Sequence, residues 1–208
     1  MDRLQIFQMD QGSDEWRTAR LGIPTASEFA TVMAQRGPRG GEPKGRRTYM
    51  LKLIGEILTG EPMYNFSNDH MERGKEMEDE ARDAYAFMTD LDPQRIGFLR
   101  RGDAGCSPDS LIGDNGMLEI KTKLAHLQLD CILSDELPSE HRAQCQGQLW
   151  IAEREWVDFV SYWPGLPLFV KRVFRDEDYI KQLAAAVQAF NAEMNELIAR
   201  VVQYRWAA

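Results

Sequence analysis

The sequence contains few of the residues that build disulfide frameworks and transition-metal sites. Its cysteines and histidines are scattered along the chain at Cys106, Cys131, Cys145, His70, His126 and His141. An odd number of cysteines without a Cys-x-x-Cys pair favours reduced thiols, as in a cytoplasm, and argues against zinc and iron–sulfur sites. We interpret each histidine as a surface or helix position rather than a metal ligand.

Long apolar runs and a positive net charge are also missing. No segment approaches the ~18 apolar residues of a membrane span, and the N-terminus lacks the apolar core of a signal peptide. We therefore expect a cytoplasmic protein without a membrane partner. The net charge of −8 is unusual for a nucleic-acid-binding protein. However, basic residues cluster between Arg36 and Lys52, where they form either a DNA-binding surface or a solvated loop.

The remaining composition is that of an ordinary globular protein. With 208 residues, of which 43% are hydrophobic and 28% charged, the chain is predicted to form a single domain over residues 1–208. Capping signals and apolar periodicity predict helices near 14–20, 25–34, 46–58, 68–88, 125–133, 139–152 and 179–201. Strands are predicted near 95–100, within 107–121, and near 156–162 and 168–174. Helices around a central meander of strands predict an α/β fold.

The most informative stretch is residues 107–121. It contains a Pro-Asp pair that ends at Asp109, nine further residues, and then Glu119-Ile120-Lys121. The Asp-Asn-Gly sequence at 114–116 is a strong hairpin signal, and such a turn folds Asp109 back toward Glu119 and Lys121. Because successive side chains of a strand alternate between faces, Glu119 and Lys121 share one face while Ile120 points into a core.

Two carboxylates and one ammonium on one side of a hairpin can hydrolyse a phosphodiester. Asp109 and Glu119 carry the oxygen ligands that Mg²⁺ prefers, and such an ion stabilises developing charge and lowers the pKa of a bound water. Lys121 can hold or deprotonate that water and offset the phosphate charge. The alternative is an ordinary hairpin whose polar face carries these residues by chance, and this stretch alone does not decide between the two.

Two helical segments carry further polar residues of interest. On the helix at 68–88, Glu78 either adds a third carboxylate to the metal site or pairs with Lys75 and Arg82, and the local sequence favours the ion pairs. Gln144 and Gln148 lie one helical turn apart and are interpreted, from the local pattern, as ordinary polar helix positions.

Arg20 and Ser27 form a candidate phosphate pocket. The Thr-Ala-Ser-Glu sequence at 25–28 is a capping-box pattern that predicts the start of a helix, whose free N–H groups favour an anion. Arg20 precedes Ser27 across a Gly-Ile-Pro turn that can bring its guanidinium to the same place. The alternative, which the local sequence favours, is a capped helix beside a surface arginine.

Taken together, these motifs resemble one family. The ordered motifs are Gln-Gly-Ser-Asp-Glu-Trp at 11–16, Arg-Leu-Gly at 20–22, Thr-Ala-Ser-Glu at 25–28, Gly-Lys-Glu-Met-Glu at 74–78, Cys-Ser-Pro-Asp at 106–109, Glu-Ile-Lys at 119–121 and Ala-Gln-Cys-Gln at 143–146. Over about residues 10–175 this order is similar to that of the phage lambda exonuclease-like family of PD-(D/E)xK nucleases. The resemblance implies a restriction-endonuclease-like core, in which helices flank a central mixed β-sheet.

The resemblance also implies catalytic roles, residue by residue. Asp109 and Glu119 match the metal-binding acids, with the Ile120 carbonyl as a further ligand. Lys121 matches the lysine that positions or activates the attacking water. Glu78 matches a helical acid that helps to hold water or metal, which gives it a role beyond its ion pairs.

Three more residues take their roles from the same resemblance. Gln144 matches a glutamine beside the active site. Arg20 and Ser27 match residues that bind the terminal 5′-phosphate of the substrate strand, within an N-terminal helical segment.

The implied activity is digestion of linear double-stranded DNA from 5′-phosphorylated ends to mononucleotides, in the 5′-to-3′ direction. The implied cofactor is Mg²⁺, with Mn²⁺ as a substitute. The family further implies a homotrimeric ring, a single-strand annealing protein as partner in recombination, and a phage or prophage origin in a bacterial host.

Two alternatives stay open, namely a structure- or site-specific endonuclease with the same core and a non-catalytic scaffold that binds DNA ends. The related iron–sulfur exonucleases are disfavoured because a cysteine cluster is absent from the sequence. An additional upstream acid of the family falls near Asp103, where the loop length differs, so no role is assigned to it. The basic loop at 36–47 also differs in length, and no DNA contact is assigned to it.

Overall fold

The computed structural model describes residues 3–34, 43–63 and 69–204, with the backbone alone over 69–76. The helices are α1 (Asp14–Ala19), α2 (Phe29–Met33), α3 (Lys44–Thr59), α4 (Asp69–Thr89), α5 (Ala125–Ser134), α6 (Arg142–Ala152) and α7 (Glu177–Tyr204). The strands are β1 (Gln5–Phe7), β2 (Pro93–Gln94), β3 (Phe98–Arg101), β4 (Ala104–Cys106), β5 (Ser110–Ile112), β6 (Gly116–Thr122), β7 (Trp156–Tyr162) and β8 (Phe169–Phe174). Residues 36–42 of the predicted basic loop lie outside the described residues, and α3 begins within the rest of it, at Lys44.

The main sheet has the strand order β2-β5-β6-β7-β8. Strand β6 runs parallel to β7, from the pair Gly116–Trp156 to the pair Thr122–Tyr162, while the other neighbours are antiparallel. The predicted mixed sheet is therefore confirmed, but the expected meander is wrong. Parallel neighbours require a crossover connection, which α5 and α6 supply.

A second, smaller sheet has the order β1-β3-β4. Neither β1 nor β4 was predicted. The strand expected at 95–100 is present as β3, but it begins three residues later, at Phe98. The predicted capping box at 25–28 is also wrong. Residues Ala26–Glu28 form a 3₁₀ turn ahead of α2, and the Thr25 side chain does not cap it.

The predicted helices are confirmed, and they cover both faces of the main sheet. On one face α4 packs Ala81 and Tyr85 against Leu118 and Ile120 of β6. On the other face α6 buries most of its length against β3, β4 and β7. The long helix α7 then packs on α2, α3 and α6. The apolar periodicity predicted for this helix is buried from Leu183 to Met194, and Val201 is half exposed.

Candidate active site

The predicted hairpin is present between β5 and β6. Its register pairs Ser110 with Leu118 and Ile112 with Gly116, so that residues 113–115 form the loop. The guanidinium of Arg154 donates to the carbonyls of Ile112, Gly113 and Gly116 at 3.3, 2.8 and 2.6 Å. A charged side chain thus closes the turn, which fixes the register of the two strands.

This register places Asp109 against the middle of β6. Its main-chain N–H donates to the Leu118 carbonyl at 3.0 Å, and its Oδ2 accepts from the Ile120 N–H at 2.5 Å. The carboxylate of Asp109 therefore lies beside the strand segment that carries Glu119 and Lys121. Ile120 faces the opposite core, as the alternation of strand side chains predicts.

Glu119 is only 1% exposed and accepts hydrogen bonds at both carboxylate oxygens. Lys121 Nζ lies 2.6 Å from Oε1, and Gln144 Nε2 donates to the same oxygen at 2.6 Å. Gln148 Nε2 donates to Oε2 at 2.5 Å. The interpretation of Gln144 and Gln148 as ordinary polar helix positions is therefore wrong, because both glutamines bind Glu119 in the interior.

The acids of the site crowd one another electrostatically. Burial raises the pKa of Asp109 well above its usual range, and the negative charges of Glu119 and Glu78 raise it further. Burial works against the charge of Lys121, but the carboxylates of Glu119 and Asp109 outweigh it and raise the pKa of the ammonium. A cation bound between the two acids would relieve their repulsion.

Glu78 lies on α4, and its negative charge acts on Asp109; its place at a metal site stays a prediction. Its carboxylate pairs with Arg82 at 2.6 Å, so this predicted ion pair is present, while the Lys75 side chain lies outside the described residues. Arg82 in turn donates to Ser110 Oγ at 3.0 Å. Because Ser110 follows Asp109 directly, the ion pair ties the Glu78 carboxylate to the acids of the hairpin.

The donor set fits a hard divalent cation that binds together with its substrate. Asp109 and Glu119 offer carboxylate oxygens, and Mg²⁺ commonly takes one or two carboxylates and completes its shell with water and phosphate oxygens. Among the described residues, no cluster of three or more histidine, cysteine, aspartate or glutamate side chains is placed to hold a metal ion.

Arg20 and Ser27 come together through Thr25. The Arg20 Nη2 donates to Thr25 Oγ1 at 3.3 Å, and that oxygen lies 3.3 Å from Ser27 Oγ. The turn that brings them together contains Gly22 at φ +66°, whose N–H donates to a Glu56 oxygen at 2.9 Å. Burial lowers the pKa of Arg20, and the carboxylates of Glu56 and Glu28 act in the opposite direction.

Trp16 joins this pocket to the segment that leads into the β5–β6 hairpin. The guanidinium carbon of Arg20 lies 3.8 Å from the centre of the Trp16 ring, and Trp16 Nε1 donates to Ser107 Oγ at 2.9 Å. The Gln11 amide also donates to the Pro108 carbonyl, at 3.0 Å. The arginine pocket and the segment that leads into Asp109 are thus directly connected, which the sequence indicated only through the order of its motifs.

Asp103 lies elsewhere, in the turn between β3 and β4. Its side chain is 82% exposed and lies 3.8 Å from Arg100.

Over the described residues, no helix is long and apolar enough to span a membrane.

Solved structures show to which fold and family this chain is similar. Two crystal structures of LHK-Exo, an alkaline exonuclease from Laribacter hongkongensis, are 34% identical to this chain, one of them in complex with dAMP. They superpose on this chain with TM-scores of 0.84 and 0.83, and each match covers 93% of this chain and 98% of the LHK-Exo chain. The restriction-endonuclease-like fold is thereby confirmed.

A phage-related exonuclease from Haemophilus somnus 129PT shares the fold at 13% identity. Its TM-score is 0.64, and the match covers 86% of this chain and 96% of that chain. No curated protein matches the chain. The model of the YqaJ-like viral recombinase domain matches residues 15–155, which supports a nuclease role in recombination. The chain therefore belongs to the YqaJ-like viral recombinase family, which is lambda exonuclease-like.

Proposed function

We propose that this protein is a Mg²⁺-dependent 5′-to-3′ exonuclease that degrades linear double-stranded DNA from 5′-phosphorylated ends to mononucleotides. The observation that supports this function best is the connection, through Trp16 and Ser107, between the Arg20 pocket and the Asp109 hairpin. A terminal phosphate bound at Arg20 would leave the adjoining part of the same strand beside the carboxylates. Cleavage would then start at an end and release short products, in agreement with the dAMP bound to the relative LHK-Exo.

In this proposal each side chain of the hairpin has a separate task. Asp109 and Glu119, with the Ile120 carbonyl, would hold Mg²⁺, which supplies charge stabilisation at the scissile phosphate and a more acidic water. Lys121 holds the attacking water and offsets negative charge on the phosphate. Gln144 keeps the Glu119 carboxylate in place through its 2.6 Å hydrogen bond.

Glu78 and the N-terminal pocket complete the site. Glu78 adds negative charge beside Asp109 and helps to hold water or metal. Arg20 and Ser27 bind the terminal phosphate, because a guanidinium can donate two parallel hydrogen bonds to phosphate oxygens and a hydroxyl can donate a third.

The wider setting follows the family resemblance. We propose a single nuclease domain over residues 1–208, with an N-terminal 5′-phosphate-binding segment and a long C-terminal helix. Double-stranded DNA with a 5′-phosphate is the substrate, and Mn²⁺ can replace Mg²⁺. A homotrimeric ring acts with a single-strand annealing protein in phage-type recombination, in the cytoplasm of a bacterial host.

A nucleotide-release assay tests the function. Three DNA substrates are compared in Mg²⁺, namely a linear duplex with 5′-phosphate ends, the same duplex with 5′-hydroxyl ends, and a covalently closed circle. We expect steady mononucleotide release from the phosphorylated duplex while the circle stays intact. Cutting of the circle would instead identify an endonuclease, and inactivity in both Mg²⁺ and Mn²⁺ would identify a scaffold.

Lys121→Ala provides the inactive control for this assay. We expect it to abolish cleavage with little change in folding or DNA binding, because Lys121 acts on the water and the phosphate. Lys171→Ala is the matched variant, since Lys171 of β8 donates to the Asp135 carbonyl at the end of α5 and should be dispensable for cleavage. Cleavage retained by Lys121→Ala would remove this lysine from the mechanism.

A further inference from the structure

Gln148 is a fully buried side chain of α6 with an unusual hydrogen-bonding pattern. It is 0% exposed, and its Nε2 donates to Glu119 Oε2 at 2.5 Å. Its own Oε1 has no hydrogen-bond partner among the described residues. One end of the amide is thus committed to the active-site carboxylate, while the other end is buried and unpaired.

Packing alone does not explain a glutamine at this position. A buried amide oxygen without a partner is unfavourable, since it loses its hydrogen bonds to water and gains none. An apolar side chain of similar length, such as methionine, would fill the same space without that cost. The benefit of the glutamine therefore lies in the donor that it delivers to Glu119.

A second buried glutamine shows what a purely structural one looks like. Gln128 of α5 is also 0% exposed, but its Nε2 donates to the carbonyls of Ser161 and Pro167 at 2.9 and 2.8 Å. Its Oε1 accepts from Ser161 Oγ at 2.5 Å. Both ends of this amide are paired with groups that hold α5 to β7 and to the loop after it.

The donor of Gln148 reaches the oxygen of Glu119 that the other two donors leave free. Lys121 and Gln144 both contact Oε1. Without Gln148, the carboxylate could therefore rotate about Oε1, and Oε2 would not be held in one position. A carboxylate has about four acceptor positions, and three of them are occupied by these donors. The remaining position then points in a fixed direction.

We propose that Gln148 is a positioning residue that fixes the orientation of the Glu119 carboxylate for divalent-cation binding. This role rests on the proposed metal-dependent function. Gln144 and Gln148, one helical turn apart on α6, hold different oxygens of the same carboxylate. Residues that orient a metal ligand in this way typically change metal affinity or activity about 10–100-fold when they are replaced.

The test is calorimetric titration of Mn²⁺ into the full-length protein without DNA, on Gln148→Met and on the matched variant Gln128→Met. We expect the Mn²⁺ dissociation constant of Gln148→Met to rise about tenfold or more. Gln128→Met should lower the melting temperature but keep the wild-type dissociation constant within about twofold, since its bonds are structural. In cleavage assays, higher Mn²⁺ concentrations should restore the rate of Gln148→Met.

Each other result has a defined meaning. An unchanged dissociation constant in Gln148→Met, or an equal weakening in Gln128→Met, would overturn the positioning role while the metal site stands. A wild-type protein that binds no Mn²⁺ would overturn the proposed function and this inference with it. If Gln148→Met does not fold, Gln148→Asn serves instead, because its shortened amide cannot reach Glu119 and the same loss of affinity is expected.

Discussion

At the scale of single residues, two neutral side chains orient Arg20. Its guanidinium stacks on the Trp16 ring and donates to the Thr25 hydroxyl. An aromatic face and a hydroxyl fix the orientation of a guanidinium without neutralising its charge. A planar cation held in this way loses little further conformational freedom when it binds a phosphate.

Replacement of Arg20 should change the preference between DNA ends more than the rate of phosphodiester hydrolysis itself. We expect Arg20→Ala to reduce the preference for 5′-phosphate over 5′-hydroxyl ends about tenfold or more, since a hydrogen bond to a charged group contributes about 1.5–3 kcal/mol. The measurement is the ratio of initial cleavage rates on the two duplexes. Arg17→Ala is the control, because Arg17 lies on α1, one turn before Arg20, but is half exposed and pairs with Asp14. A wild-type ratio in Arg20→Ala would place the pocket elsewhere.

The sequence predicts some site residues and misses others for identifiable reasons. Asp109, Glu119 and Lys121 are brought together by a local hairpin, and a turn signal with strand alternation is enough to predict that. Gln148 is different, because a glutamine in a helical pattern gives no sign of whether it is buried. Its neighbours Cys145 and Leu149 are fully buried, so that only the packing of the whole helix reveals its contact with Glu119.

At the scale of elements, the close approach of α6 to the 3₁₀ turn connects the two halves of the site. A Cβ atom built on Gly147 would lie 2.4 Å from the Phe29 ring and 3.2 Å from Ala26 Cβ. Phe29 is fully buried and cannot move aside easily. The glycine therefore permits a helix that carries Gln144 and Gln148 to pack against the turn that carries Ser27.

Gly147→Ala should accordingly destabilise the protein and slow cleavage. Overpacking of a dense core costs about 1–3 kcal/mol, partly offset by the higher helix propensity of alanine. We expect a net loss of about 1–2 kcal/mol in the free energy of unfolding, measured by urea denaturation, with a lower cleavage rate as α6 shifts away from Glu119. Gly55→Ala of α3 is the matched control, because its Cβ would meet only the flexible end of Met63. Equal stability of both variants would contradict this account.

Element types were predictable where the local pattern is strong. The helices have apolar periodicity, and Ser13 caps α1 with its side chain. Strand β4, in contrast, contains only Ala104, Gly105 and Cys106, whose small side chains show no alternation. Strand β1 is three residues long and is defined by its pairing with β3, which is separated from it by about 90 residues of sequence. Such long-range pairings leave almost no local signal.

At the scale of the whole molecule, the order of motifs predicted the fold better than the individual elements did. The parallel pairing of β6 with β7 depends on a crossover through α5 and α6, and a list of strands alone does not specify it.

The acidic net charge of −8 also has a consequence at this scale. An acidic molecule has no general attraction to a polyanion, so the proposed function requires local basic sites such as the Arg20 pocket.

Global stability should depend on the protonation of His141. Its ring stacks on Phe159 at 5.0 Å between centroids, and its side chain is only 17% exposed. Burial lowers its pKa to about 4, and the positive charges of Lys123 and Lys121 add to the effect. In the unfolded chain the pKa returns to about 6.5. The folded protein therefore has the full benefit of a neutral ring above about pH 6.5.

As the pH falls from about 6.5 toward 4, the unfolded chain binds a proton at His141 that the folded protein does not bind, so that stability is lost over this interval. Urea denaturation at pH 7 and pH 5 should show a smaller loss in His141→Gln than in the wild type, by on the order of 1 kcal/mol after solvent screening. Carboxylates titrate in both proteins and cancel in the difference. Identical losses would mean that the ring can take up its proton without leaving its position on Phe159, and that acid sensitivity comes from the carboxylates alone.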